Sequence, residues 1–90
     1  MTLVKLRNIF NIMSQRIDEV VSVILLNSTP LSMNWRNRDY KITKVGLRHH
    51  YYEGKTLIHI FSVLAGTLFL KLKLNTKSLQ WRLEEMYAEN

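Results

Sequence analysis

Leu68-Phe69-Leu70-Lys71-Leu72-Lys73-Leu74 decides the fold class, because leucine occupies every second position along it. Successive side chains on a strand point to opposite faces, so Leu68, Leu70, Leu72 and Leu74 share one face. Lys71 and Lys73 then lie on the other, with Phe69 among them. A helix would scatter the same leucines around its circumference.

Toward the C-terminus, Asn75-Thr76-Lys77-Ser78 is a turn, and Leu79, Trp81 and Leu83 alternate with Gln80, Arg82 and Glu84. Toward the N-terminus, Ala65-Gly66 is a tight connection preceded by an apolar strand over 57–64, which Glu53-Gly54 opens with another turn. Gly46 interrupts the pattern as a bulge or bend would. Before it, Tyr40, Ile42 and Lys44 alternate with Lys41, Thr43 and Val45. Leu31, Met33 and Trp35 form the other arm of that hairpin, with Asn37 where a tight turn needs positive φ. Val20-Val21-Ser22-Val23-Ile24-Leu25-Leu26 is rich in β-branched residues and ends at the turn Asn27-Ser28-Thr29-Pro30. Six short strands at this spacing predict an all-β fold, an antiparallel meander curling into a small barrel or half-barrel.

Leu3, Leu6, Phe10, Met13 and Ile17 recur at spacings of three and four, which predicts a short N-terminal helix; the other reading is a disordered tail. The expected organisation is an extension over residues 1–12 and one small β-domain over 13–90. Residues 1–17 are basic and apolar, with Asp18 the first acid, a composition shared with some organellar presequences. No secretory signal is expected, since the apolar stretch there is short and broken by Asn11.

Ninety residues support one modest core, and a hydrophobic fraction of 47% is sufficient to build it. With no cysteine, disulfides, thiolate metal sites and cysteine nucleophiles are all excluded. The net charge of +6 favours encounter with anionic partners. The apolar run 56–70 is interrupted by His59, Ser62 and Gly66 and cut off by Lys71, so no membrane span is expected.

Trp35-Arg36-Asn37-Arg38-Asp39-Tyr40, then Val45, then Trp81-Arg82-Leu83-Glu84-Glu85 resembles a family of small bacterial β-domains of unknown function. Ser14-Gln15-Arg16-Ile17 matches the opening of that pattern, and Asn37 stands where glycine is commoner. The resemblance implies a β-meander in a bacterial cytoplasmic setting and carries no activity with it.

No catalytic or metal constellation is assembled by spacing. His49 and His50 are neighbours on a strand and point apart, His59 stands alone, and the vicinal pair Glu84-Glu85 should diverge and pair with Arg36, Arg38 or Lys41. No phosphate loop or cofactor motif occurs, so neither an enzyme nor a cofactor is expected. Trp35 and Trp81 alternate with polar neighbours and read as core.

Two binding readings remain. Arg36, Arg38, Lys41, Lys44, Arg48 and Lys55 interleave with Tyr51 and Tyr52, a composition suited to phosphates and stacked bases and hence to a nucleic acid. Alternatively, strand 57–64 is apolar on both faces, so Ile58, Ile60 and Phe69 are candidates for an interface with a protein partner or a second copy in a homo-oligomer. The protein-binding reading is preferred and the basic nucleic-acid module is its alternative. Since the strand pattern starts near Met13, deleting residues 1–12 should leave the unfolding midpoint nearly unchanged in a denaturant titration; a large drop would place those residues in the core.

Overall fold

Every strand except the outermost pairs with two neighbours, and that neighbour order fixes where accessible surface remains. The computed structural model describes residues 12–89, all in strands, turns and one short linker. The strands are β1 (Ile12–Leu26), β2 (Thr29–Trp35), β3 (Arg38–Lys41), β4 (Lys44–Glu53), β5 (Thr56–Ala65), β6 (Leu68–Asn75) and β7 (Gln80–Glu89). They form one antiparallel sheet in the order β3-β2-β1-β7-β6-β5-β4.

The all-β antiparallel architecture is as the alternation predicts, with three corrections. There are seven strands, not six, because Lys44–Glu53 is a strand of its own and the 40–45 segment divides around Ile42-Thr43. The sheet is not closed into a barrel: β3 and β4 are its two edges and do not pair with each other. No helix occurs among the described residues, and 12–17 belong to β1; the helical reading of residues 3–11 lies outside the described residues.

Tight hairpins impose the meander. Asn27 and Ser28, then Arg36 and Asn37, take positive φ as consecutive pairs, the geometry whose twist matches that of the flanking strands. Gly54 and Gly66, at +60° and +67°, supply the same conformation where a side chain would be strained. The bulge expected at Gly46 is present as a register shift between Val45 and Leu47. A Cβ at Gly46 would stand 3.3 Å from the Ser62 carbonyl oxygen, so the strand approaches β5 closely there.

The inner face gathers the core: Val21, Met33, Trp35, Ile42, Phe61, Val63, Leu70, Leu72, Trp81 and Leu83. Both tryptophans are buried, and Phe61 lies 5.4 Å from Trp81 between ring centroids. Ile42 and Thr43 carry the chain from one edge of the sheet to the other. The Ile42 N–H donates to Leu31 of β2 at 3.0 Å and the Thr43 N–H to Leu64 of β5 at 2.8 Å.

The packing orders the expected effects of truncation. Leu72→Ala or Leu83→Ala should each destabilise by about 2–5 kcal/mol, since both leave a cavity in the core. Leu47→Ala and Leu79→Ser, at exposed positions, should stay within about 0.5 kcal/mol of wild type in urea unfolding.

Candidate binding edge and groove

Pairing with β5 on one side leaves the other side of β4 open along ten residues. The opposite edge, β3, is only four residues long. Natural sheets protect their edges by shortness, bulges, proline or charge. On β4 the Gly46 bulge occupies one end, and Leu47 to Glu53 continue beyond it in unbroken register with β5.

Alternation along β4 divides its side chains. Leu47, His49 and Tyr51 stand on the outer face opposite Ser62, Ile60 and Ile58; Arg48, His50 and Tyr52 stand on the inner face opposite Phe61, His59 and Leu57. The Arg48 guanidinium lies over the Phe61 ring at 4.7 Å, and the His50 and His59 rings are 5.8 Å apart. Tyr52 is 66% exposed. The two tyrosines therefore do not form one stacking row.

Across the outer face of β4 to β7 runs a groove of about 820 Å³. Leu47, Leu64, Phe69 and Tyr87 give it an apolar lining, and Lys44, His49, Ser62 and Lys71 supply its polar groups. Leu47 is 62% exposed and Phe69 46%. Ile58 and Ile60, expected at an interface, are instead 0% and 2% exposed. Tyr51 and Lys73 flank them, and both donate to Glu53, at 3.4 Å and 3.0 Å, across this apolar ground. Of the three interface candidates only Phe69 is accessible. Leu47, Leu64 and Tyr87 join it, and the sequence signal that could have found Leu47 is its place on a strand with no burial pattern.

Ion pairing sorts the cations into two groups. Arg82 binds Asp18 at 3.0 Å, Arg36 binds Glu19 at 2.6 Å, Lys73 binds Glu53 at 3.0 Å, and Arg16 approaches Glu85 at 3.6 Å. A register shift between Lys71 and Leu72 turns Glu84 and Glu85 toward one ammonium, so Lys71 lies 3.9 Å and 3.7 Å from them. This corrects the expectation that the two acids diverge toward Arg36, Arg38 or Lys41. Glu85 also accepts from the Tyr87 hydroxyl, and that bond holds its pKa below the ordinary glutamate value, with Lys71 and Arg16 adding to the effect. Both acids serve as charge partners in this cluster.

Among the described residues, Arg38, Lys41, Lys44, Arg48, Lys55 and Lys77 have no such acidic partner, and all but Lys77, in the turn after β6, belong to β3, β4 or the turn after it. Asp39 in the same region accepts from the Asn34 side-chain amide at 2.8 Å. Arg38 lies 5.7 Å from the Tyr40 ring centroid. Arg36, grouped with these cations by sequence, is engaged elsewhere: it stacks on Trp35 at 4.5 Å and binds Glu19, which also accepts from the Trp35 indole N–H at 2.8 Å. The uncompensated positive charge thus lies mainly on the two edge strands and the turn after β4.

No three-residue metal-binding group of His, Asp or Glu occurs among the described residues, and no described helix is long and apolar enough to cross a membrane. Comparison with family models, curated proteins and solved structures finds no match to this chain.

The paired acids set an acid limit on stability. Arg36 and then Trp35 lower the Glu19 pKa, Arg82 lowers that of Asp18, and Tyr87 that of Glu85. A carboxylate whose folded pKa is depressed adds stability above its unfolded pKa of about 4 and loses that contribution as pH falls through the folded value. Stability should therefore decline below about pH 4, and Glu19→Gln should flatten part of that decline. Urea unfolding midpoints from pH 2 to 7 check this; an unchanged slope in the variant would remove Glu19 from the account.

Proposed function

We propose that this protein is a non-catalytic binding module that recognises another protein by adding an extended segment of it to the β4 edge. The observation carrying this reading is the ten-residue edge, open along its length and beside an apolar groove, while the other edge is four residues long. Strand addition draws affinity from main-chain hydrogen bonds and specificity from alternate side chains. β4 can provide both: its outer side gives access to Leu47 and the groove, and its inner side carries Arg48, His50 and Tyr52.

A nucleic acid is the second reading, favoured by Arg38, Lys41, Lys44, Arg48 and Lys55, edge-strand and turn cations without acidic partners among the described residues. Phosphate binding needs such charge, and exposed Tyr52 could stack on a base. Engagement of Arg36 by Glu19 and the opposite directions of Tyr51 and Tyr52 weaken it relative to strand addition.

Two measurements separate the readings. Peptides selected from a random library should slow amide hydrogen exchange along Leu47–Glu53 and leave β3 unchanged. Labelled single- and double-stranded oligonucleotides should bind weakly even at low salt. Oligonucleotide affinity that falls steeply with salt, and that Lys44→Glu and Arg38→Glu weaken for every sequence alike, would establish the nucleic-acid reading instead.

A further inference from the structure

We infer that the segment received by β4 is acidic and alternating: acids on the side facing Arg48, and a large apolar residue on the side facing Leu47. This rests on the strand-addition reading and specifies its partner. An added strand places its own alternate side chains on the same two faces as those of β4. On the inner face these neighbours are Arg48, His50 and Tyr52, with Lys55 in the turn at one end. Arg48 has no acidic partner among the described residues, and Glu53, the acid of β4, is held by Lys73. A carboxylate on the incoming strand would meet a cation that no described acid neutralises, whereas a basic segment would meet like charge.

The outer face asks for different chemistry. Leu47 is exposed at the rim of the groove, and beyond it lie Leu64, Phe69 and Tyr87. Two lysines line that groove: Lys71 is already shared by Glu84 and Glu85, and Lys44 lies beyond the Gly46 bulge from Leu47, outside the segment Leu47–Glu53. An apolar side chain beside Leu47 would therefore bury hydrocarbon against hydrocarbon with little further charge to desolvate. A second copy of this chain fits less well. Its β4 would bring Lys44, Arg48, His49 and His50 against the same set, in a molecule of net charge +6.

The test uses the full chain and synthetic fluorescent peptides of about eight residues, enough to span Leu47–Glu53. One alternates Glu with Val and Phe, one has the same composition scrambled, and one replaces Glu with Lys. Two more carry the alternating sequence N-methylated at the odd or the even amides. The alternating acidic peptide should bind best. Either Arg48→Glu or Leu47→Asp should weaken it by roughly tenfold or more. Only one of the N-methylated peptides should lose binding, because a strand in a ladder points alternate amides at its neighbour.

Equal binding of both N-methylated peptides and the parent would overturn strand addition itself. Loss with one of them, combined with equal or tighter binding of the lysine peptide, would keep strand addition and overturn the acidic partner. Binding of an oligonucleotide with no binding of any peptide would reject both. So would a peptide-free dimer in sedimentation that Leu47→Asp dissolves. Arg48→Glu could disturb the contact with Phe61, so Lys55→Glu, placed in the turn and away from that ring, is the second charge variant. Weakening by both with an unchanged unfolding midpoint supports the inference; no weakening by either overturns it.

Discussion

Ile42 and Thr43 hold the two ends of the sheet in relation to each other. The strands on either side of this linker are the outermost two of seven, yet only two residues separate them. A flat seven-stranded sheet would place its edges roughly 30 Å apart, given about 4.8 Å between neighbours. The sheet must therefore curl until β2 and β5 come close enough for the linker to bond both, Leu31 on one side and Leu64 on the other. Ile42 is buried in the core at that crossing. The curl makes the inner face a shared interior, where side chains from β1, β2, β5, β6 and β7 meet in one cluster.

The same constraint shapes the outside. Lys41 and Lys44 flank the linker, so cations from both edge strands come near one corner. Beyond that corner β4 continues as part of a hairpin with β5 whose far end is the turn at Gly54. Asp18 and Glu19 on β1, Glu84 and Glu85 on β7, and Glu53 on that hairpin are occupied by Arg82, Arg36, Lys71, Arg16 and Lys73. Charge is thus compensated through much of the sheet and left uncompensated along β3 and β4. Exposed ion pairs contribute little to stability, so this distribution matters more for what the surface attracts than for holding the fold.

Strands that border the core announce themselves in the sequence, since burial on one face produces alternation. Leu68–Leu74 and the Trp81–Leu83 strand are legible for that reason, as are the turns at Asn37, Gly54 and Gly66. β4 has no such signature: most of its side chains are exposed on both faces, so Arg48–Tyr52 reads as a polar connection. The feature that makes this strand available to a partner is the same one that conceals it in the sequence. The start of β1 misleads differently. Met13 and Ile17 are four apart, a spacing that suits a helix face and, being even, one face of a strand. A register shift between Arg16 and Glu19, with Asp18 at a φ of 55°, breaks the alternation that would have separated the two. Bulges also explain Glu84 and Glu85, whose convergence on Lys71 depends on a pairing slip that residue identity does not reveal.

The place of β1 between β2 and β7 has a consequence for how the chain is made. Its hairpin with β2 can form as soon as Trp35 leaves the ribosome, but its other neighbour is the last strand, and Val21 must wait for Trp81. Until then one edge of a long, β-branched strand has no ladder, and Val21 and Val23 have no finished interior. Distant pairing of this kind slows folding, because a large loop must close before its contacts form. During synthesis the nascent chain therefore offers an adhesive strand that the completed domain conceals. Shielding by a chaperone, or rapid translation through β7, would affect soluble yield more than any change to the exposed hairpin tips.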